Sequence, residues 1–349
     1  MASEDRAPEA PQPPPTAGLS QLLRGSLVTQ LIHVVATLGV ADLLCDGPKS
    51  SHELAAALRV DPQALYRVLR ALASIGIFQE TDLGWFALTA QAQPLRTDVP
   101  GSLRASAILY GERWWWQACG ELLHSVRTGQ PAFDHVHGAS LFSYLHHTAD
   151  AAATFNDHQT AMTRQDATAV VGAYSFTECT KVVDVGGGHG ALIAAILKAC
   201  SWASAVLFDQ PAVIEGAKQR LRTEGVADRC TCIAGDFFDS VPEGGDAYVL
   251  KDIVHDWDDD RATAILGNCR RAMAQASALP TKLLVVEKVI PPGNAPFPGK
   301  LTDITMLLVS GGRERTASEY EALLNAAGFA LTRIVPTSSP ASVIEAVPA

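Results

Sequence analysis

Five short apolar runs recur after Thr180, each separated from the next by a stretch of helical spacing, and no other feature narrows the fold so far. They are KVVDV (181–185), AVLF (205–208), CTCIAG (230–235), DAYVLK (246–251) and LLVVEK (283–288). Runs of this length with little polar alternation suit strands covered on both faces, and strands alternating with helices build a mostly parallel, doubly wound sheet. FALTRIV (329–335) and SVIEAV (342–347) follow without a helix between them and read as an antiparallel hairpin closing that sheet. An α/β domain is therefore expected over residues 176–349.

The N-terminal half has a different texture. Residues 1–18, MASEDRAPEAPQPPPTAG, are too poor in apolar groups to repay the entropy of ordering and read as a disordered tail. From Leu19 to about Leu44, apolar residues such as Leu27, Leu31, Val34, Val35 and Leu38 recur at helical spacing. The next stretch has the outline of a winged helix-turn-helix. Ser51 can cap a helix over 52–58, Asp61 a second over 62–75, and IFQETDLGWFALT reads as a hairpin around Asp82–Gly84. This gives an all-helical and winged-helix unit over 19–105. Helical patterns continue through 106–175, with the triplet Trp114–Trp115–Trp116 and the aromatics Phe142, Tyr144 and Phe155.

Charge argues against the partner that a winged helix suggests first. The formal net charge is −10, and the wing carries Glu80 and Asp82 without a Lys or Arg cluster, whereas DNA binding rests on concentrated positive charge. Packing or dimerisation is the better use of this unit. Seven cysteines are scattered, and the C-x-C at Cys230 and Cys232 lacks a second ligand pair at zinc spacing, so no metal is expected. They read as buried thiols in a reducing compartment. The apolar stretch Leu27–Leu44 contains Gln30, His33 and Asp42 and suits a core helix better than a membrane span. No basic-then-apolar leader is visible, which points to a soluble cytoplasmic protein without membrane or nucleic-acid partners.

The first strand runs into Asp184-Val-Gly-Gly-Gly-His-Gly190. Glycines there let the backbone turn tightly and approach a ligand that faces a helix N-terminus. Gly186, Gly188 and Ala191 also satisfy the dinucleotide pattern, so the loop leaves nicotinamide and S-adenosylmethionine cofactors tied. Asp209, ending the next strand in LFDQP, can accept from ribose hydroxyls and suits either cofactor. The third strand ends in GDFF, where Asp236 can accept from an adenine amino group and Phe237 offers a ring face. The fourth runs into Lys251-Asp-Ile-Val-His255-Asp256-Trp257. Glu287 ends the fifth, and Glu314 lies in GGRERT. A histidine and two carboxylates can thus meet on the ligand edge of the sheet.

In order and approximate spacing, VDVGGGHG, FDQP, GDFF, HDWDDD, VVEKVI and GGRERT resemble the plant caffeate/flavonoid family of small-molecule O-methyltransferases, in its bacterial natural-product branch. The likeness spans nearly everything after the tail. It implies a Rossmann-like methyltransferase sheet behind an N-terminal dimerisation domain, S-adenosylmethionine as cofactor, a homodimer, and a small aromatic or polyketide-like substrate. It also implies cofactor contacts at Gly186, Gly188, Asp209, Asp236, Phe237 and Lys251. His255 matches the general base and Glu287 and Glu314 its acidic partners, while Met162, Asp256 and Met306 fall at substrate-lining positions. Two departures stand out: LFDQP replaces the more familiar Asp-Leu-Pro, and about four extra residues lie around 275–282.

A phenol ionises near pH 10, so a base such as a histidine, ordinarily near 6.5, would assist methyl transfer. Three other readings compete. A relative could bind the same cofactor for decarboxylation or hydroxylation, a regulator could use the winged helix on DNA, and an oxidoreductase could hold a nicotinamide in the glycine loop.

Overall fold

A computed structural model describes residues 15–275 and 281–349. Residues 1–14 of the expected tail, and most of the extra residues before Glu287, lie outside the described residues. The chain divides into two compact units, one ending at Glu112 and the other comprising Arg113–Ala349.

In the first unit, the apolar stretch after residue 14 forms three helices, Pro15–Leu23, Gly25–Leu38 and Val40–Leu43. The first takes in the last four residues of the expected tail. The single helix expected to Leu44 breaks at Gly39, whose φ of +72° suits a residue without Cβ. The winged-helix outline is present. Asp61 accepts from the Ala64 N–H and caps Pro62–Ala73. The cap of Ser51–Leu58 is Ser50 rather than Ser51, in a reciprocal capping box with Glu53. The shift follows from pairing: β1 (Lys49–Ser50) joins β3 (Trp85–Leu88), which pairs with β2 (Phe78–Asp82) in a three-stranded antiparallel sheet. Leu54, Leu65, Leu69, Leu72, Phe78 and Phe86 share its core.

The second unit carries the expected sheet. Its strands are β4 (Lys181–Val185), β5 (Ser204–Asp209), β6 (Cys230–Ala234), β7 (Ala247–Lys251), β8 (Lys282–Lys288), β9 (Phe329–Pro336) and β10 (Ala341–Pro348). Their spatial order is β6-β5-β4-β7-β8-β10-β9. The first five are parallel, and β10 runs antiparallel between β8 and β9. Alternate residues point to opposite faces and enter two separate cores. Val182, Leu207, Val249 and Val286 lie in one, and Val183, Val206, Leu250 and Val285 in the other. The strand order reverses between β4 and β7, and the carboxyl ends of these strands are where ligands of such sheets sit.

Among the described residues no helix is long and apolar enough to cross a membrane. None of the seven cysteines is disulfide-bonded. Burial, expected for all of them, holds for Cys179, Cys200 and Cys269, while Cys45 is exposed and the other three are half-buried.

Candidate active site

The glycine loop leaves β4 where β5 covers it. Gly186 has a φ of +69° and donates to the Phe208 carbonyl at 2.8 Å. A Cβ there would overlap the Ile253 side chain. Gly188, at φ +59°, faces open space, and its N–H donates to Asp209 Oδ2 at 2.8 Å. Asp209 also accepts from the Gln210 N–H at 2.7 Å. Burial nevertheless raises its carboxyl, against the pull of these donors.

Asp236 is exposed, and its Oδ1 accepts from the Phe238 N–H at 2.8 Å. Phe237 is half-buried beside Phe238, with ring centroids 5.1 Å apart. Asn268 fixes both backbones by donating to the Phe237 and Phe238 carbonyls at 2.7 and 2.9 Å. Gly186, Gly188, Asp209, Asp236 and Phe237 therefore stand along one edge of the sheet. Lys251 differs from them. Its buried ammonium is committed to Asp166, at 3.0 Å, and to Asp252.

At the end of β7 the chain turns through Val254–Asp256. The N–H groups of Ile253, Val254 and His255 converge on Glu287 Oε1 at 3.1, 2.9 and 3.3 Å. A carboxylate at the end of β8 thus organises the turn that carries the histidine. The His255 Nδ1 lies 3.0 Å from Glu314 Oε1 and 3.2 Å from Glu287 Oε2, and its Nε2 lies 3.8 Å from Asp256 Oδ1. His255 is 4% exposed, Glu287 0% and Glu314 3%. Burial disfavours the imidazolium, but Glu287, Asp256 and Glu314 outweigh it and push His255 up to about 10. Burial raises Glu287, against the pull of His255, and raises Asp256 to about 6. As pH falls, the first proton this cluster takes up therefore goes to the imidazole, shared with the carboxylates around it.

Two features hold Glu314 in place. A Cβ at Gly312 would overlap the His255 carbonyl, so a glycine is needed where the two segments touch. Arg315, 0% exposed, donates to the carbonyls of Val254 at 3.1 Å and Trp257 at 2.9 Å, and to Asp259 at 2.8 Å. Met306 is tied to the same segment through its carbonyl, which accepts from the Gly311 N–H at 2.9 Å. Met162 stands half-buried on the helix Ala149–Ala173, one turn before Asp166.

Sequence reasoning missed Arg315, Asp166, Asp252 and Lys288. It also missed His158, which burial lowers to about 4, so that it stays neutral. Asp252, His255 and Glu287 each bring a ligand atom within 4.8 Å of the others. Lys251 and Lys288 share that space with Asp252, and we read the group as an ion-pair network rather than a metal centre.

Residues 119–330 match the O-methyltransferase domain family, and residues 20–98 match the O-methyltransferase dimerisation domain. The phenazine O-methyltransferase PhzM of Lysobacter antibioticus is 47% identical over 330 residues, covering 95% of each chain. The crystal structure of LaPhzM superposes with a TM-score of 0.92 at 46% identity, covering 97% of this chain and 100% of that one. The O-methyltransferase NcsB1 from neocarzinostatin biosynthesis, solved with S-adenosylmethionine and 2-hydroxy-5-methyl naphthoic acid, has a TM-score of 0.79 at 32% identity, with 92% and 96% covered. The loop fits that cofactor: Gly188 leaves open the space that a Cβ would fill, Asp209 accepts from its N–H, and the Phe237 ring lies 3.5 Å from where a Cβ on Gly186 would stand. The chain belongs to the S-adenosylmethionine-dependent O-methyltransferase family.

Proposed function

We propose that the protein methylates a phenolic hydroxyl on a small aromatic or polyketide-like natural product, with His255 taking the hydroxyl proton. The observation that carries this reading is the buried His255, with Nδ1 facing Glu287 and Glu314 and Nε2 on the other side of the ring, near Asp256. The likeness to PhzM, a phenazine O-methyltransferase, supports a polycyclic aromatic acceptor.

When bound, S-adenosylmethionine supplies an electrophilic methyl group on a sulfonium. Gly186, Gly188, Asp209, Asp236 and Phe237 would hold it. Lys251, paired with Asp166 and Asp252, would border it and stiffen the strand end. What remains is to place the hydroxyl and remove its proton. Glu287 and Glu314 stabilise the imidazolium and fix the ring, so Nε2 faces the acceptor. A phenol near 10 and an imidazole at about 10 are matched, which makes proton transfer between them close to even. Free imidazole with phenol, or imidazolium with phenolate, hold the same number of protons. Either pair makes the rate climb with pH up to about 10. Asp256 would orient the acceptor beside Nε2, with Met162 and Met306 as apolar walls.

The domain division that accompanies this reading is 19–105 for dimerisation, 106–175 for the pocket wall and 176–349 for catalysis. A homodimer is supported by the dimerisation-domain match and by the exposed Leu19, Leu22, Leu23 and Leu27. A cytoplasmic location is proposed from the likeness to biosynthetic enzymes such as the phenazine O-methyltransferase.

The test is incubation with S-adenosylmethionine and a panel of hydroxyphenazines, naphthols, simple phenols and the carboxylated forms of each, with products identified by mass spectrometry. O-methylated product on at least one polycyclic phenol is expected. Cofactor binding with only decarboxylated or hydroxylated products would overturn the reading.

A further inference from the structure

Lys288 follows Glu287 at the end of β8, and its ammonium lies 3.5 Å from Asp252 Oδ1 and 3.7 Å from Glu314 Oε1. That Glu314 oxygen is the one 3.0 Å from His255 Nδ1. With Asp166 and Lys251, these groups form an alternating chain of charge, Asp166–Lys251–Asp252–Lys288–Glu314–His255, running from the helix Ala149–Ala173 to the imidazole. Asp252 reaches both lysines from a backbone at φ +51°, a conformation that non-glycine residues other than Asn and Asp seldom adopt.

We infer that Lys288 is a positioning residue that sets the pH at which His255 gives up its proton, by sharing the charge of Glu314 with the imidazole. Without the ammonium, the carboxylates of Glu314, Glu287 and Asp256 would hold the imidazolium still more strongly, and the base would be free only at higher pH. The charged and titratable groups facing Lys288 come from five places: Asp166 and His158 on the helix Ala149–Ala173, Lys251 and Asp252 at the end of β7, His255 and Asp256 in the following turn, Glu287 beside it, and Glu314 ahead of the last helix. His158 stays neutral and so adds no charge. Among the cations near Glu314, Lys288 touches both the outer carboxylate, Asp252, and the inner one. Its loss therefore cannot be made good by Lys251, which pairs with Asp166 and Asp252.

This inference rests on His255 as the base, and two readouts keep the two claims apart. The first is kcat/KM against pH for wild type, Lys288→Met, Lys288→Arg and Asp252→Asn. The second is the titration of the His255 ring, followed by NMR with labelled histidine and assigned with His255→Gln. Lys288→Met should move the ring titration up by about one pH unit and lower kcat/KM at neutral pH roughly tenfold. Lys288→Arg should restore them. Asp252→Asn, which its backbone tolerates, removes a negative charge from the cluster and should move both in the opposite direction. A ring titration that moves while kcat/KM at neutral pH does not would retain the role of Lys288 and remove His255 as the base. A ring titration that stays put in Lys288→Met, or that moves the same way in Lys288→Met and Asp252→Asn, overturns the inference.

Discussion

The Nδ1 of His255 lies 3.0 Å from Glu314 Oε1, although 59 residues separate the two along the chain and both side chains are buried. The pairing joins the turn after β7 to the segment before the last helix, and it leaves the other ring nitrogen for the acceptor. An imidazole so flanked is a strong base, because its charged form is the one its surroundings favour.

Replacing Glu314 by Gln keeps the shape and removes the charge. The ring titration and the alkaline activity limb should both move down from about 10 by on the order of one unit. The plateau rate should fall about tenfold, since the imidazolium loses a partner in the transition state. A pH–rate profile superimposable on wild type would show that Glu314 does not act on His255.

The same pairing makes stability depend on pH. The folded pKa of His255 lies above its ordinary 6.5, so its contribution is complete below about 6.5 and is lost as pH rises through about 10. Melting temperature should fall over that window in wild type, and His255→Gln should flatten the fall. Parallel alkaline declines in the two proteins would place the cause elsewhere.

Asp209 holds the glycine loop through the N–H groups of Gly188 and Gln210. Asp209→Ala removes those acceptors and the one proposed for the ribose. Calorimetry should give S-adenosylmethionine affinity weaker by about 10–100-fold, the range expected for hydrogen bonds to a charged group. Unchanged affinity would remove Asp209 from the cofactor site.

Arg315 is a buried cation whose donors are met by Val254, Trp257 and Asp259. Arg315→Met should cost about 2–3 kcal/mol in urea unfolding, because it leaves the buried carbonyls of Val254 and Trp257 without their donor. A midpoint within error of wild type would mean that the turn carrying His255 is held by Glu287 alone.

The strands of the second unit were legible because burial on both faces leaves an unbroken apolar run. KVVDV spans the same residues as β4. Caps were legible only where nothing else claimed the residue: Asp61 caps as its spacing implies, whereas β1 pairing displaces the cap from Ser51 to Ser50. Glu287 and Glu314 were found as strand-end and motif residues, and the resemblance gave them their roles. Nothing in the spacing could place them 3.2 and 3.0 Å from one nitrogen. Lys288, Asp252 and Asp166 were missed because a charged residue inside a motif looks the same whether it faces water or another charge. Only the crossing of β7, β8 and the helix Ala149–Ala173 pairs them.

The central claim is that methyl transfer to a hydroxyl depends on proton removal by His255. Its most direct test is the single-turnover rate of transfer from labelled S-adenosylmethionine to a phenolic acceptor, measured against pH for wild type and His255→Gln. The wild-type rate should climb with pH toward about 10, and the variant, which depends on the phenol ionising by itself, should be about 10²–10⁴-fold slower at neutral pH while binding the cofactor equally well. A variant as fast as wild type, with the same pH dependence, would contradict the account.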